Sequence, residues 1–305
     1  MIVITGPTGV GKSALAVELA ERLGGEIVSA DSRQVYRYMD VGTAKPSVAE
    51  RAAVPHHLVD LVYPDEPYSI ADYQRDGERM LDQISERQRT PLVVGGSPHY
   101  IQALIDRLKP APRFTELRLW LERADAGDSA RLDEWLRRLD PVAAEQIEFR
   151  NRRRVLRALE IILGTGERFS DVGRRREEPM HALWIGLRLD RAPLYDRVAR
   201  RLDAMLDAGW LDEVRTLLAM GYAPVLPSMS ATGYPELASV LRGERTLAEA
   251  KELILHATHA FIRRQETWLR KEQRVRWLDA DAPNLVDRAY AACLEFRHNG
   301  SEVQT

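Results

Sequence analysis

Residues Gly6-Pro7-Thr8-Gly9-Val10-Gly11-Lys12-Ser13 match the pattern G-x-x-x-x-G-K-[ST] in full, and no other feature of the chain restricts its fold so tightly. Before the motif stands Ile2-Val3-Ile4-Thr5, a β-branched run suited to a buried parallel strand. After it, Leu15, Ala16, Leu19, Ala20 and Leu23 recur at helical spacing until Gly24-Gly25 ends the helix. A glycine-rich loop between a strand and a helix turns backbone N–H groups around phosphate oxygens, and the helix adds the positive end of its dipole. The Lys12 ammonium reaches the phosphates and the Ser13 hydroxyl can ligate Mg²⁺. Gly6 to Ser13 is therefore expected to bind a polyphosphate with Mg²⁺ as cofactor.

The pattern further along supports the same class. Glu26-Ile27-Val28-Ser29-Ala30-Asp31 reads as a second strand ending on a carboxylate, and Pro91 to Gly96 as another after a helical stretch from about Ile70 to Arg87. Strand–helix alternation predicts an α/β fold: a P-loop core with a mostly parallel sheet flanked by helices. From Thr115 to about Gly164 the apolar spacing is helical throughout, bounded by Pro110-Ala111-Pro112 and by Gly173 to Pro179. Strand-like runs return at Leu183–Leu189 and at Arg274–Leu278, with helices between them. The expected division is a catalytic core of residues 1–112 and 180–305, interrupted by a helical insertion of residues 113–179.

Charge first argues against a nucleic-acid partner, because 44 Lys+Arg stand against 46 Asp+Glu over 305 residues. That excludes a globally basic chain but not a local patch. Residues 150–201 hold 14 basic and 7 acidic side chains, a net of +7, between two acidic segments. Arg150, Arg152, Arg153, Arg154 and Arg157, then Arg174, Arg175 and Arg176, are its densest parts. Guanidinium forks match phosphate oxygens, although such runs are also common on solvated helix faces. With one cysteine, Cys293, no disulfide or cysteine-built metal site can form within the chain. No signal peptide and no apolar run of about 18 residues is visible. A cytoplasmic protein without membrane association, a monomer in the simplest case, is expected.

The motif alone leaves the chemistry open. The Leu92-Val93-Val94 strand ends in Gly95-Gly96-Ser97 with no carboxylate to complete a Walker-B site, and Thr43-Ala44-Lys45-Pro46 lacks the aspartate of a guanine-reading box. Both features weaken a nucleotide hydrolase.

Several strings then follow at short spacing: Ser29-Ala30-Asp31-Ser32-Arg33-Gln34-Val35-Tyr36, Met39-Asp40-Val41-Gly42-Thr43-Ala44-Lys45-Pro46 and Pro55 to Asp60. Pro64 to Tyr73, Arg157-Ala158-Leu159-Glu160, Gly233 to Leu237 and Arg264 to Arg270 continue the series. From residue 2 to about residue 278 the chain resembles the tRNA dimethylallyltransferase family, also called tRNA isopentenylpyrophosphate transferases. The resemblance implies that the loop holds the diphosphate of dimethylallyl diphosphate. It implies transfer of the dimethylallyl group to N6 of adenine 37, beside the tRNA anticodon. Asp31 is then the catalytic base, with Ser97 on the acceptor. An arginine from the Leu194–Leu206 helix would neutralise the leaving group. Arg197 and Arg201 share a face there; Arg201 is preferred and Arg197 is kept as a diphosphate ligand. The resemblance assigns tRNA contacts to Asp31, Ser32, Arg33, Gln34 and Ser97, and in the insertion to Arg153, Arg154, Val155, Leu156 and Arg157. An adenylate isopentenyltransferase, a small-molecule P-loop kinase and a non-catalytic tRNA-binding module are the alternatives.

The chain departs from the family pattern at Ser97, which replaces a threonine but keeps the hydroxyl, and at Pro98-His99. Further departures are Arg150-Asn151-Arg152, in place of an Asn-Asp pair, and His259, where an arginine is usual. His56-His57 is expected to be structural, since adjacent side chains of an extended segment point opposite ways. Trp120, Trp135, Trp184 and Trp210 are expected in the core.

Overall fold

In a computed structural model, residues 1–108, 111–172 and 178–302 are described. The Arg174, Arg175 and Arg176 cluster lies outside them. In chain order the elements are β1 (Ile2–Thr5), α1 (Lys12–Leu23), β2 (Gly25–Ser29), α2 (Val48–Ala53), β3 (His56–His57), α3 (Ile70–Glu86), β4 (Thr90–Val94) and α4 (Pro98–Ile105). Five helices follow: α5 (Thr115–Gly127), α6 (Ser129–Leu139), α7 (Pro141–Gln146), α8 (Arg152–Thr165) and α9 (Phe169–Val172). The chain closes with β5 (Leu183–Arg188), α10 (Arg191–Asp207), α11 (Trp210–Ala219), a 3-10 turn at Ser228–Ser230, α12 (Tyr234–Leu241), α13 (Leu247–Leu269), β6 (Val275–Asp279) and α14 (Leu285–Glu302).

These elements form two compact units, residues 1–104 with 181–305, and residues 105–180. The first is built on one six-stranded sheet in the order β3-β2-β4-β1-β5-β6, with every neighbouring pair parallel. The short apolar strands explain this. Every residue of β1 is buried, with Ile2 opposite Leu92 on one side and Leu183 on the other. A strand buried on both faces needs helices above and below, which is the setting of a parallel sheet. α1 supplies Leu15, Leu19 and Leu23, and α10 supplies Leu194 and Val198, to the apolar cluster around Ile4, Leu92 and Ile185. β4 is inserted between β1 and β2, so the carboxyl ends of β2, β4 and β1 stand side by side. Open parallel sheets place ligands there.

Among the described residues, the elements named in the second unit are all helices. Leu121 of α5, Leu132 and Leu136 of α6, and Val155, Leu156 and Leu159 of α8 form its core. Asp140, fully buried, accepts from the Ala143 and Ser170 N–H groups and so caps α7 while fixing α9. Two expectations about aromatics divide. Trp184 and Trp210 are 1% and 2% exposed, but Trp120 is 49% exposed, its ring stacked on Trp135 at 5.9 Å. Leu121, one residue on in α5, takes the core-facing position instead. Among the described residues no helix is long and apolar enough to cross a membrane.

Candidate active site

Three adjacent strand ends carry the site. Gly6 to Gly11 follows β1, Asp31 stands two residues beyond β2, and Gly95-Gly96-Ser97 follows β4. Two glycines are dictated by close approach. Gly9 has φ +84°, and a Cβ there would lie 2.8 Å from the Val198 side chain. A Cβ on Gly95 would lie 2.1 Å from the Ala30 carbonyl oxygen. That tight contact brings the β4 turn against the residue before Asp31.

The Lys12 ammonium folds back over the loop, donating to the carbonyls of Gly6 at 3.0 Å and Pro7 at 2.9 Å. Surrounding protein strips water from it, and the Arg201 charge adds repulsion. Together they lower its pKa to about 8, against the opposing pull of Asp31. The Asp31 carboxylate accepts the Arg33 N–H at 2.8 Å. This bond two residues on fixes the side chain at the strand end. Ser97 Oγ accepts the Ser32 N–H at 3.3 Å, and the Ser97 N–H donates to Ala30 O at 3.4 Å. Ser97 thus joins the β4 turn to the segment that carries Asp31.

Thr8, Gly9, Lys12, Ser13, Asp31, Ser97 and Arg201 all line one cavity of about 470 Å³. Val198, Leu202 and Met205 of α10 and Ile254 and Phe261 of α13 give it an apolar side. A wider cavity of about 900 Å³ adjoins through shared walls at Ala44, Lys45, Pro46, Met205 and Arg201. Arg201 keeps an open surface in these cavities, yet crowding by the protein lowers its pKa, with Asp31 again opposing.

Other expected site residues are placed differently. Arg197 lines neither cavity, because its guanidinium pairs with Asp281; the four-residue spacing gave it the same helix side as Arg201 but not the same partner. Gln34 is consumed internally. Its Oε1 accepts from Ser29 Oγ, and its Nε2 donates to the carbonyls of Thr43 and Ala44. It braces the wall and has no free amide group. Arg33 reaches the carbonyls of Pro227 and Ser228 and the hydroxyl of Ser230.

In the helical unit, Val155 and Leu156 are 0% and 5% exposed in the core, so their side chains do not present a surface to RNA. Arg157 is tied to Glu160 and to the carbonyls of Ala111 and Pro112. Arg153 and Arg154 are exposed on the first turn of α8.

Two residues in the first unit have roles that the sequence did not disclose. Glu213 of α11 accepts the N–H groups of Asp40, Val41 and Gly42 and the Tyr234 hydroxyl, holding the segment whose next residues line the cavity. Gln265 of α13 accepts from Thr8 and donates to Gly96. It belongs to the Arg264–Arg270 string, but nothing in the string ties it to the loop. His56 and His57 are structural: they meet the Val54 carbonyl and Glu26. Among the described residues no cluster of three or more His, Cys, Asp or Glu could hold a metal ion.

The parallel sheet, the phosphate loop at its switch point and the carboxylate at the end of β2, across β4 from the loop, define a P-loop α/β protein. Residues 34–272 match the family described as IPP transferase, and residues 1–58 match one described as isopentenyl transferase. The chain belongs to the IPP transferase family. It is 45% identical over 291 residues to a tRNA dimethylallyltransferase of Thermomicrobium roseum, covering 94% of this chain and 88% of that one. To another of Roseiflexus sp. it is 46% identical, covering 95% and 96%. Among solved structures it is similar to the tRNA isopentenylpyrophosphate transferase of Bacillus halodurans, with a TM-score of 0.75, 36% identity and coverage of 99% and 98%. A eukaryotic dimethylallyltransferase acting on tRNA gives a TM-score of 0.85 at 28% identity, covering 98% of this chain and 79% of that one.

Proposed function

We propose that this chain is a tRNA dimethylallyltransferase that moves the dimethylallyl group of dimethylallyl diphosphate to N6 of adenine 37. The C1–O bond to the diphosphate breaks, the N6–C1 bond forms, and one N6 proton leaves. The observation that carries this reading is the juxtaposition, in one 470 Å³ cavity, of the phosphate loop after β1 and the Asp31 carboxylate after β2, on either side of the β4 end. An exocyclic amine is a weak nucleophile, so it needs a base aimed at its proton and a leaving group already neutralised.

Asp31 takes the proton, held in place by the Arg33 N–H. The free N–H groups of the loop and α1, with Lys12 and Arg201, receive the diphosphate. The apolar side formed by α10 and α13 takes the prenyl chain and keeps water from the forming cation. Ser97 orients the acceptor beside Asp31. Mg²⁺ fits a donor set of this kind. The Ser13 hydroxyl at the start of α1 would hold it together with the substrate phosphates, and when bound the ion would offset negative charge on the diphosphate. Exposed Arg153 and Arg154 grip the tRNA backbone, and the protein acts in the cytoplasm as a monomer.

Incubation with unmodified tRNA, labelled dimethylallyl diphosphate and Mg²⁺ tests the reading. Label should enter the tRNA at position 37. Label entering AMP but not tRNA would assign the protein to free nucleotides, and ATP-dependent phosphoryl transfer would make it a kinase.

A further inference from the structure

The phosphate loop is partly stoppered by the protein itself. Gln265, 2% exposed, reaches from α13 to the loop. Its Oε1 accepts the Thr8 N–H at 2.9 Å and the Thr8 hydroxyl at 3.2 Å, while its Nε2 donates to the Gly96 carbonyl at 2.7 Å. Two donors on one side and a carbonyl on the other leave the amide a single satisfied orientation. The group stands over the opening half of the loop. A Cβ on Gly96 would lie 2.5 Å from Gln265 Nε2, 3.3 Å from Gly6 O and 3.5 Å from Lys12 Nζ.

The closing half is open. The N–H groups of Gly9, Gly11, Lys12 and Ser13 carry no hydrogen bond within the described residues. In a loop of this kind the phosphates nearest the helix take those donors, and a third phosphate extends toward the lysine and the start of the loop. That is where the Gln265 oxygen already sits. An anionic oxygen arriving there would lose the Thr8 donor and face a carbonyl dipole.

We infer that Gln265 sets the length of the phosphate chain the loop accepts, admitting a diphosphate and excluding a triphosphate. It is a specificity-determining residue, distinct from the groups that touch the reacting atoms. The inference rests on the reading that the loop holds a diphosphate, and it explains how a nucleotide-type loop is kept from nucleoside triphosphates.

Calorimetric titration of the full chain with inorganic pyrophosphate and with tripolyphosphate, both in Mg²⁺, tests it. The unaltered protein should prefer pyrophosphate by about tenfold or more. Gln265→Ala removes the side chain from over the loop and frees the Thr8 N–H, so it should bring the two affinities within about threefold, chiefly by tightening tripolyphosphate. Gln265→Glu keeps an acceptor facing Thr8 and adds negative charge, so the preference should persist or grow. Thermal midpoints recorded for both variants identify one that is unfolded, and the other then carries the comparison. A preference unchanged in Gln265→Ala, abolished in Gln265→Glu, or absent from the unaltered protein overturns the inference. Lys12→Ala separates the two levels: pyrophosphate bound as tightly without Lys12 would place the anion outside the loop and remove the diphosphate reading itself.

Discussion

Replacing Glu213 is the sharpest structural test of how the cavity wall is held. Each carboxylate oxygen has two donors. Oε2 accepts the N–H groups of Asp40 at 2.7 Å and Val41 at 2.6 Å, and Oε1 accepts the Gly42 N–H at 3.1 Å and the Tyr234 hydroxyl at 2.7 Å. A hydrogen bond to a charged group contributes roughly 1.5–3 kcal/mol, and a buried donor left unpaired costs about 1–3 kcal/mol. In Glu213→Ala the three backbone donors lie where water can replace much of the loss. The Tyr234 hydroxyl does not, since Tyr234 is 0% exposed. Local stability of residues 40–42 should therefore fall by about 3 kcal/mol. Glu213→Gln should fare little better, losing about 2 kcal/mol, because its NH₂ must face two donors whichever way the amide turns. Hydrogen exchange followed by mass spectrometry reads this directly. Exchange across residues 39–44 should accelerate about a hundredfold in Glu213→Ala and at least about tenfold in Glu213→Gln. Transfer activity should fall alongside, since Gly42, Thr43 and Ala44 line the cavity. Exchange in Glu213→Gln equal to that of the unaltered protein would mean that Glu213 holds the wall by packing and not through its four hydrogen bonds, because packing alone tolerates the isostere.

Burial and the Arg201 charge bring the Lys12 pKa down to about 8. The ammonium must be charged to hold phosphate, so affinity for dimethylallyl diphosphate should be full below pH 8 and fall by up to about tenfold per unit above it, as titration calorimetry across pH will show. Arg201→Ala should weaken that affinity or turnover by at least about tenfold, whereas Arg197→Ala, which frees only Asp281, should change steady-state rates less than about twofold. Arg153→Ala with Arg154→Ala should lower the slope of log affinity for tRNA against log salt by about 1–2. Leu156→Ala should leave that slope alone and destabilise the helical unit by about 2–5 kcal/mol, measured by urea unfolding.

The parallel sheet was legible because its signals are local. A buried run such as Ile2–Thr5, followed by a glycine loop and an amphipathic helix, admits few alternatives. That Asp31 and Ser97 line the cavity was legible because each lies within three residues of a strand end. Arg197 was misplaced because i, i+4 spacing names a helix side but not the partner waiting there, and Asp281 lies 84 residues away. Val155 and Leu156 were misplaced by their neighbours: on α8 the arginines and the core residues alternate within one turn. Gln265 and Glu213 were invisible as site residues because their contacts span 257 and about 172 positions, and no periodicity records such pairings.

In the proposed reaction Asp31 removes the N6 proton while the loop holds the diphosphate. Single-turnover transfer to pre-bound tRNA in Asp31→Asn measures this most directly, because asparagine still accepts the Arg33 N–H and so preserves the geometry. Transfer should slow by about 10²–10⁴-fold with tRNA affinity held within about twofold. A variant that transfers at the unaltered rate would show that Asp31 is not the base.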